Sequence, residues 1–186
     1  MSTATLELVE DAHDESVQVV AFHAGESIFA IDIAHINSII MPQAVTGVPR
    51  TPPYVTGVIN LRGRIVPILD LRARFGLGPA AESQRLQERI LVVEVDDLTA
   101  GLVVDSVAEV LHLPLSRLQP PSQLVKSDDT ECIQGIGRTD DDRLLIVLDV
   151  AKTLTCSAEG LSALREFQDR AGRAAEAPAP RRKKAA

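Results

Sequence analysis

A chain of 186 residues with 45% hydrophobic side chains can hold one domain, or two small ones closely joined, around a sizeable core. Its net charge of −7 is unevenly spread: setting aside the four basic and one acidic residues of 174–186 leaves 15 basic against 25 acidic, a net of −10. That acidic body, with aromatics at only 3%, excludes nucleic acid as the main partner and offers no stacking platform for single strands.

The first sixteen residues, MSTATLELVEDAHDES, are polar and acidic, so no signal peptide is expected. No apolar run approaches the ~20 residues of a membrane span. The body then runs over 16–155 as short β-branched segments: VQVVAFHA (17–24), ESIFAID (26–32), RIVPILD (64–70), RILVVEV (89–95), AGLVVDS (100–106) and RLLIVLDV (143–150). Turn signals separate them at Ala24-Gly25, Arg62-Gly63, Asp96-Asp97 and Asp140-Asp141-Asp142. Long helical patterns are absent before residue 157, so the fold class is all-β with short helices, in barrels or a sandwich. Residues 157–173 read as a C-terminal helix with Leu161, Leu164 and Phe167 on one stripe, and 174–186 as a disordered basic tail. Cys132 and Cys156 form no CxxC pair and read as reduced thiols.

Within the body, 55–76 (VTGVINLRGRIVPILDLRARFG) reads as strand, tight turn, strand and capped helical turn. Gly63 supplies the permissive turn backbone, Asp70 an N-cap and Gly76 the glycine that ends a helix. Arg62 stands at the tip, where a turn needs no arginine.

The chain also resembles itself. Residues 31–40 (IDIAHINSII) align without gaps on 102–111 (LVVDSVAEVL), and 57–71 align on 135–150 with one extra residue in the aspartate-rich turn. Leu69-Asp70-Leu71 recurs as Leu148-Asp149-Val150. Two similar small barrels are therefore expected, the first over about 16–76 and the second over about 89–155, divided by a polar linker at 77–88. A ~60-residue barrel is marginal alone, so the two should share a core, and the groove where they meet is a natural binding site.

The segment GVINLRGRIVPILDLRARFG (57–76) resembles the signature of the CheW family of chemotaxis coupling proteins, through Gly57, Asn60, Leu61, Arg62, Gly63, Pro67, Asp70, Leu71, Arg72 and Phe75. Val103-Val104-Asp105, Val107, Glu109-Val110 and Leu148-Asp149 extend the resemblance through the second half. It implies two SH3-like five-stranded barrels packed around a shared hydrophobic core, no catalysis and no cofactor. It also implies a scaffold that bridges the cytoplasmic tips of methyl-accepting chemoreceptors to the regulatory domain of the histidine kinase CheA. Such a protein is cytoplasmic and peripheral at membrane receptor arrays, without an integral membrane segment. Arg62 then becomes a receptor contact, with Asn60 beside it and Ile36, Ser38 and Ile90 along the same groove; Ile39 is expected to pack in the core. Ser38 is a departure, because the family often carries an acidic residue there. The first strands are apolar on both faces, and the family's barrel-to-barrel contact assigns Ile28 and Ala30 to the kinase.

Two rivals complete the reading: a coupling protein of a pilus-motility or other non-flagellar system, and a small barrel enzyme built on clustered aspartates. Asp70 and Asp149 each follow a strand and open a helical turn, so capping accounts for them rather than general acid–base chemistry. The aspartate runs at 96–97, 128–129 and 140–142 lack the alternating calcium-loop pattern. His13, His23, His35 and His112 show no metal-ligand spacing. No nucleophile, phosphate-loop or dinucleotide motif is present.

Overall fold

The computed structural model describes residues 15–49, 51–121 and 131–155. The predicted helix at 157–173 and the basic tail lie outside them. The described residues form eleven strands and three short α-helices: β1 Ser16–Ala24, β2 Ser27–Asp32, β3 Ile36–Ile40, β4 Val55–Leu61, β5 Arg64–Asp70, α1 Leu71–Arg74, α2 Glu82–Arg85, β6 Arg89–Val95, β7 Leu98–Val104, β8 Ser106–Pro114, β9 Leu118–Gln119, β10 Ile133–Arg138, β11 Leu144–Leu148 and α3 Val150–Thr155. The six short apolar segments of the sequence are all strands, and the four turn signals all fall at hairpin turns.

The strands form two sheets, ordered β8-β1-β2-β11-β10-β9 and β3-β6-β7-β5-β4. The first five positions correspond one for one. Among these five positions each sheet has three antiparallel ladders, and the one joining β2 to β11, or β7 to β5, is parallel; the sixth strand, β9, adds a further antiparallel ladder to the first sheet. The internal repeat is therefore architectural. The expected division into a first barrel over 16–76 and a second over 89–155 does not hold, however. Hairpin β1–β2 sits in the sheet otherwise built from the second half, and β6–β7 in the sheet otherwise built from the first.

Burial supplies the physical reason. Strands apolar on both faces belong in the interior of a sheet with both faces covered. Phe22, Phe29 and Ile31 point into a seam shared with Leu69, Leu91 and Leu102 of the other sheet. Val19, Ala21 and Ala30 face the opposite way, into their own sheet's interior with Leu113, Leu145 and Val147. A third cluster of Ile59, Val66, Ile68, Ile90 and Val92 fills the interior of the second sheet. The shared core of the sequence reading is thus the seam, and each sheet wraps a smaller core of its own. Phe22 and Phe29 stack at 6.0 Å between ring centroids, and Phe29 and Phe75 at 5.3 Å, so three rings run across the seam. Each fully buried side chain of this kind contributes roughly 1.5–3 kcal/mol.

Each sheet is closed by a short crossing segment. Thr46 exchanges two backbone hydrogen bonds with Val58, both 2.9 Å, and Gln119 of β9 pairs with Ile136 in the equivalent place. One glycine in each sheet makes room for the crossing. A Cβ on Gly57 would lie 2.2 Å from the Thr46 carbonyl oxygen, and one on Gly135 would lie 2.7 Å from that of Gln119.

Candidate functional site

Hairpin β4–β5 closes on the pair Leu61 and Arg64, leaving Arg62 and Gly63 as its two turn residues. Both have positive φ, 53° and 87°. Two consecutive residues of this kind make the turn whose twist matches paired strands, and asparagine or glycine normally fills it. The Asn60 side-chain oxygen accepts a hydrogen bond from the Gly63 N–H at 2.8 Å and pins the turn. Asn60 therefore has a structural task whatever else it contacts. Arg62 has none: it is exposed, and among the described residues no carboxylate pairs with it. Its backbone disfavours a residue with a long side chain, so the turn does more than tolerate an unneeded arginine; it holds a costly one.

The remaining predicted contacts are spread over the same sheet. On β3, Ile36 is half-buried against the seam and Ser38 is half-buried beside it, with a register shift between them. Ile39, expected in the core, is 44% exposed instead, because β3 alternates with Ile36, Ser38 and Ile40 inward and Asn37 and Ile39 outward. Ile90 is 1% exposed; it pairs with Ile40 and packs in the sheet's interior, reaching the surface only as part of a cleft floor. Ile40 of β3 and Leu61 of the hairpin that carries Arg62 both pack against that same interior cluster. Ala30 is fully buried in its own sheet's core and cannot meet a partner, so its assignment to the kinase is withdrawn. Ile28 is half-buried at the edge of that core.

A cleft of about 780 Å³ opens beside this face. Its lining combines apolar Pro42, Val45, Ile90 and Val103 with the cationic Arg72 and Arg85. Arg62 does not line it.

Arg72 is the residue whose role the sequence left unread. Asp70 caps α1 as expected, accepting from the backbone N–H of Arg72 at 2.8 Å and of Ala73 at 3.2 Å. That cap aims the next side chain across the molecule. The Arg72 guanidinium meets Asp105 through Nε at 2.6 Å and Nη2 at 2.7 Å. Asp105 also accepts from the Gly25 N–H at 2.8 Å, at the β1–β2 turn. Arg72 further donates to the Gly78 carbonyl at 3.2 Å and to the Gln84 side chain at 3.1 Å. One arginine thus ties α1, the linker, the β7–β8 corner and the exchanged hairpin together. Its hydrogen bond to Asp105 raises its pKa above the ordinary arginine value, against the opposing effect of burial. An aspartate closing the apolar run Leu102-Val103-Val104 was the available signal for this contact.

Of the other acidic candidates, Asp149 and Asp140 to Asp142 are accounted for by capping and pairing, and the run at 128–129 lies outside the described residues. Asp149 accepts from the Lys152 N–H at 2.9 Å as a cap. Asp140 pairs with Arg117, Asp141 with Arg143 and Asp142 with Arg138. Cys132 is buried, with an Arg74 guanidinium nitrogen 3.2 Å from its sulfur. The described helices include none long and apolar enough to cross a membrane.

A family model of the CheW-like domain matches residues 18–157. The chain belongs to the CheW-like family. The chemotaxis protein CheW of Helicobacter pylori is 37% identical over 145 residues, covering 78% of this chain and 86% of that one. The CheW of Treponema pallidum is 34% identical over 142 residues, covering 75% and 83%. The protein PilI of Pseudomonas aeruginosa is 36% identical over 107 residues, covering 56% and 59%. Among solved structures, the scaffolding protein TtCheW of Thermoanaerobacter tengcongensis superposes with a TM-score of 0.68 at 33% identity, covering 77% of this chain and 91% of that one. The CheW-like match spans both sheets, including the exchanged hairpins.

Proposed function

We propose that this chain is a non-enzymatic cytoplasmic scaffold that couples chemoreceptor tips to the histidine kinase CheA at membrane receptor arrays. The observation that carries the reading is Arg62, exposed and ion-pair-free among the described residues, on a turn whose backbone favours glycine or asparagine. Arginine is enriched among the residues that anchor interfaces. Exposed Ile39 and half-buried Ser38 on β3 extend the receptor face, and Ile28 is the remaining candidate for the kinase contact. The scaffold works through binding energy and geometry alone.

Co-purification with a CheA fragment and a receptor cytoplasmic fragment tests this, wild type against Arg62→Ala. Loss of receptor retention with an unchanged melting curve is the expected result. Full retention of both partners by the variant would overturn the role of Arg62. The likeness to PilI supports a second reading within the family, a coupling protein of a pilus-motility system. Pull-downs with receptor and kinase fragments from each kind of system distinguish the two.

A further inference from the structure

The ladders show an uncommon division of labour between the two halves of the chain. Four of them join residues 16–76 to residues 89–155: β1 to β8, β2 to β11, β3 to β6 and β5 to β7. The ladders internal to a half, among the described residues, are the hairpins and the short crossings that close each sheet. Neither half therefore holds a complete sheet. The seam and both sheet interiors each draw their buried side chains from both halves.

The covalent connection between the halves is the linker at 77–88. It lies mostly exposed on the surface, and Leu86 within it is 83% exposed. Fully extended, its twelve residues reach about 40 Å. Its first residue, Leu77, packs against the seam, and beyond it the Arg72 side chain holds Gly78 and Gln84.

We propose that the partner this inter-half surface fits, besides the chain's own second half, is the second half of another copy. An extended linker lets residues 16–76 of one molecule pair with 89–155 of another, and the reverse. Every ladder, cap and ion pair between halves is then preserved, the Arg72–Asp105 pair included. Only the linker's path and its contacts with Arg72 change, and connections of this kind are the low-cost route to exchanged dimers. The two sheets already trade hairpins within one molecule, so trading halves between two molecules asks for no new contact. Each rebuilt second sheet keeps its own β4–β5 hairpin, so the dimer presents two Arg62 tips on one particle and gains effective concentration at a multivalent target.

Tag position and cleavage provide the test. One full-length copy carries an N-terminal tag, another a C-terminal tag, and both have a protease site inserted between Ala80 and Ala81. The two are unfolded together, refolded at high concentration, sized, and the dimer fraction is cleaved. Exchange yields monomer-sized particles that carry both tags, at a level well above that obtained by mixing native monomers after cleavage. Dimers that stay dimeric after cleavage, or the absence of doubly tagged monomer-sized particles above that background, overturn the proposal.

Discussion

Arg72 and Asp105 meet through two hydrogen bonds of 2.6 and 2.7 Å, with side chains 12% and 9% exposed, and the same carboxylate holds the turn of the exchanged hairpin. The pair ties together the ends of three segments, α1, the β7–β8 corner and the β1–β2 turn, beyond the ladders that already bring them side by side. Asp105→Ala strands a guanidinium inside the fold and should destabilise it by about 3 kcal/mol. Urea unfolding should show a lower midpoint with little change in slope. A folded-state pKa raised on an arginine stabilises at every pH below its unfolded value and is lost only as pH climbs through the folded one. Stability in the neutral and mildly alkaline range should therefore show no decline traceable to Arg72.

Arg62 should behave in the opposite sense to a structural residue. Asparagine tolerates positive φ far better than arginine does. Arg62→Asn should raise stability by roughly 0.5–1 kcal/mol, with a rise in melting temperature of about 2–4 °C per kcal/mol for a chain of this size. Retention of the receptor fragment should fall in the same variant. A stability gain coupled to a binding loss separates a recognition residue from one that merely supports the hairpin.

Gly57 and Gly135 stand in equivalent places and should respond alike. A Cβ on Gly57 meets the Thr46 carbonyl at 2.2 Å on a backbone of φ 146°, and on Gly135 the crossing backbone at 2.7 Å. Each alanine variant should cost about 1–3 kcal/mol by forcing the closing segment outward. Gly47→Ala is the control: nothing lies within 4 Å, so its thermal melt should match wild type.

Ile39 and Ala30 reverse their sequence assignments and give a matched pair of tests. Ile39→Asp places a charge on an already exposed position and should leave stability within about 0.5 kcal/mol while weakening receptor binding. Ala30→Leu forces a larger side chain into the closed interior beside Leu113 and Val147, at about 1–3 kcal/mol. Denaturation curves and pull-downs on the same preparations check both.

The strands were legible because each carries its own β-branched run and turn residues. The capped turn at Asp70 and the hairpin at Gly63 were legible for the same local reason. The partition of strands between sheets was not. Which hairpin completes which sheet depends on matching faces far apart in the chain, and the double-sided burial of Val19 to Phe22 was its only trace. Ile39 was placed in the core because an apolar residue type does not reveal which face of a half-covered strand it occupies; β3 turns Ile36, Ser38 and Ile40 inward and Ile39 outward. Arg72 lay inside the recognised motif, yet its partner is 33 residues away and is identified only by the folded path.

The parallel ladder between β2 and β11 sets an order on the chain's birth. Phe29 leaves the ribosome early, and its partner Ile146 is made more than a hundred residues later. At about 5–20 residues per second, the hairpin β1–β2 waits on the order of 10 s with the outer edge of β2 unmatched and both faces apolar. During that interval the nascent chain presents a sticky ribbon that only its own distant end can cover. Slowing translation across 89–148 should therefore raise aggregation in the cell, while a synonymous gene that speeds this stretch should raise the yield of folded protein.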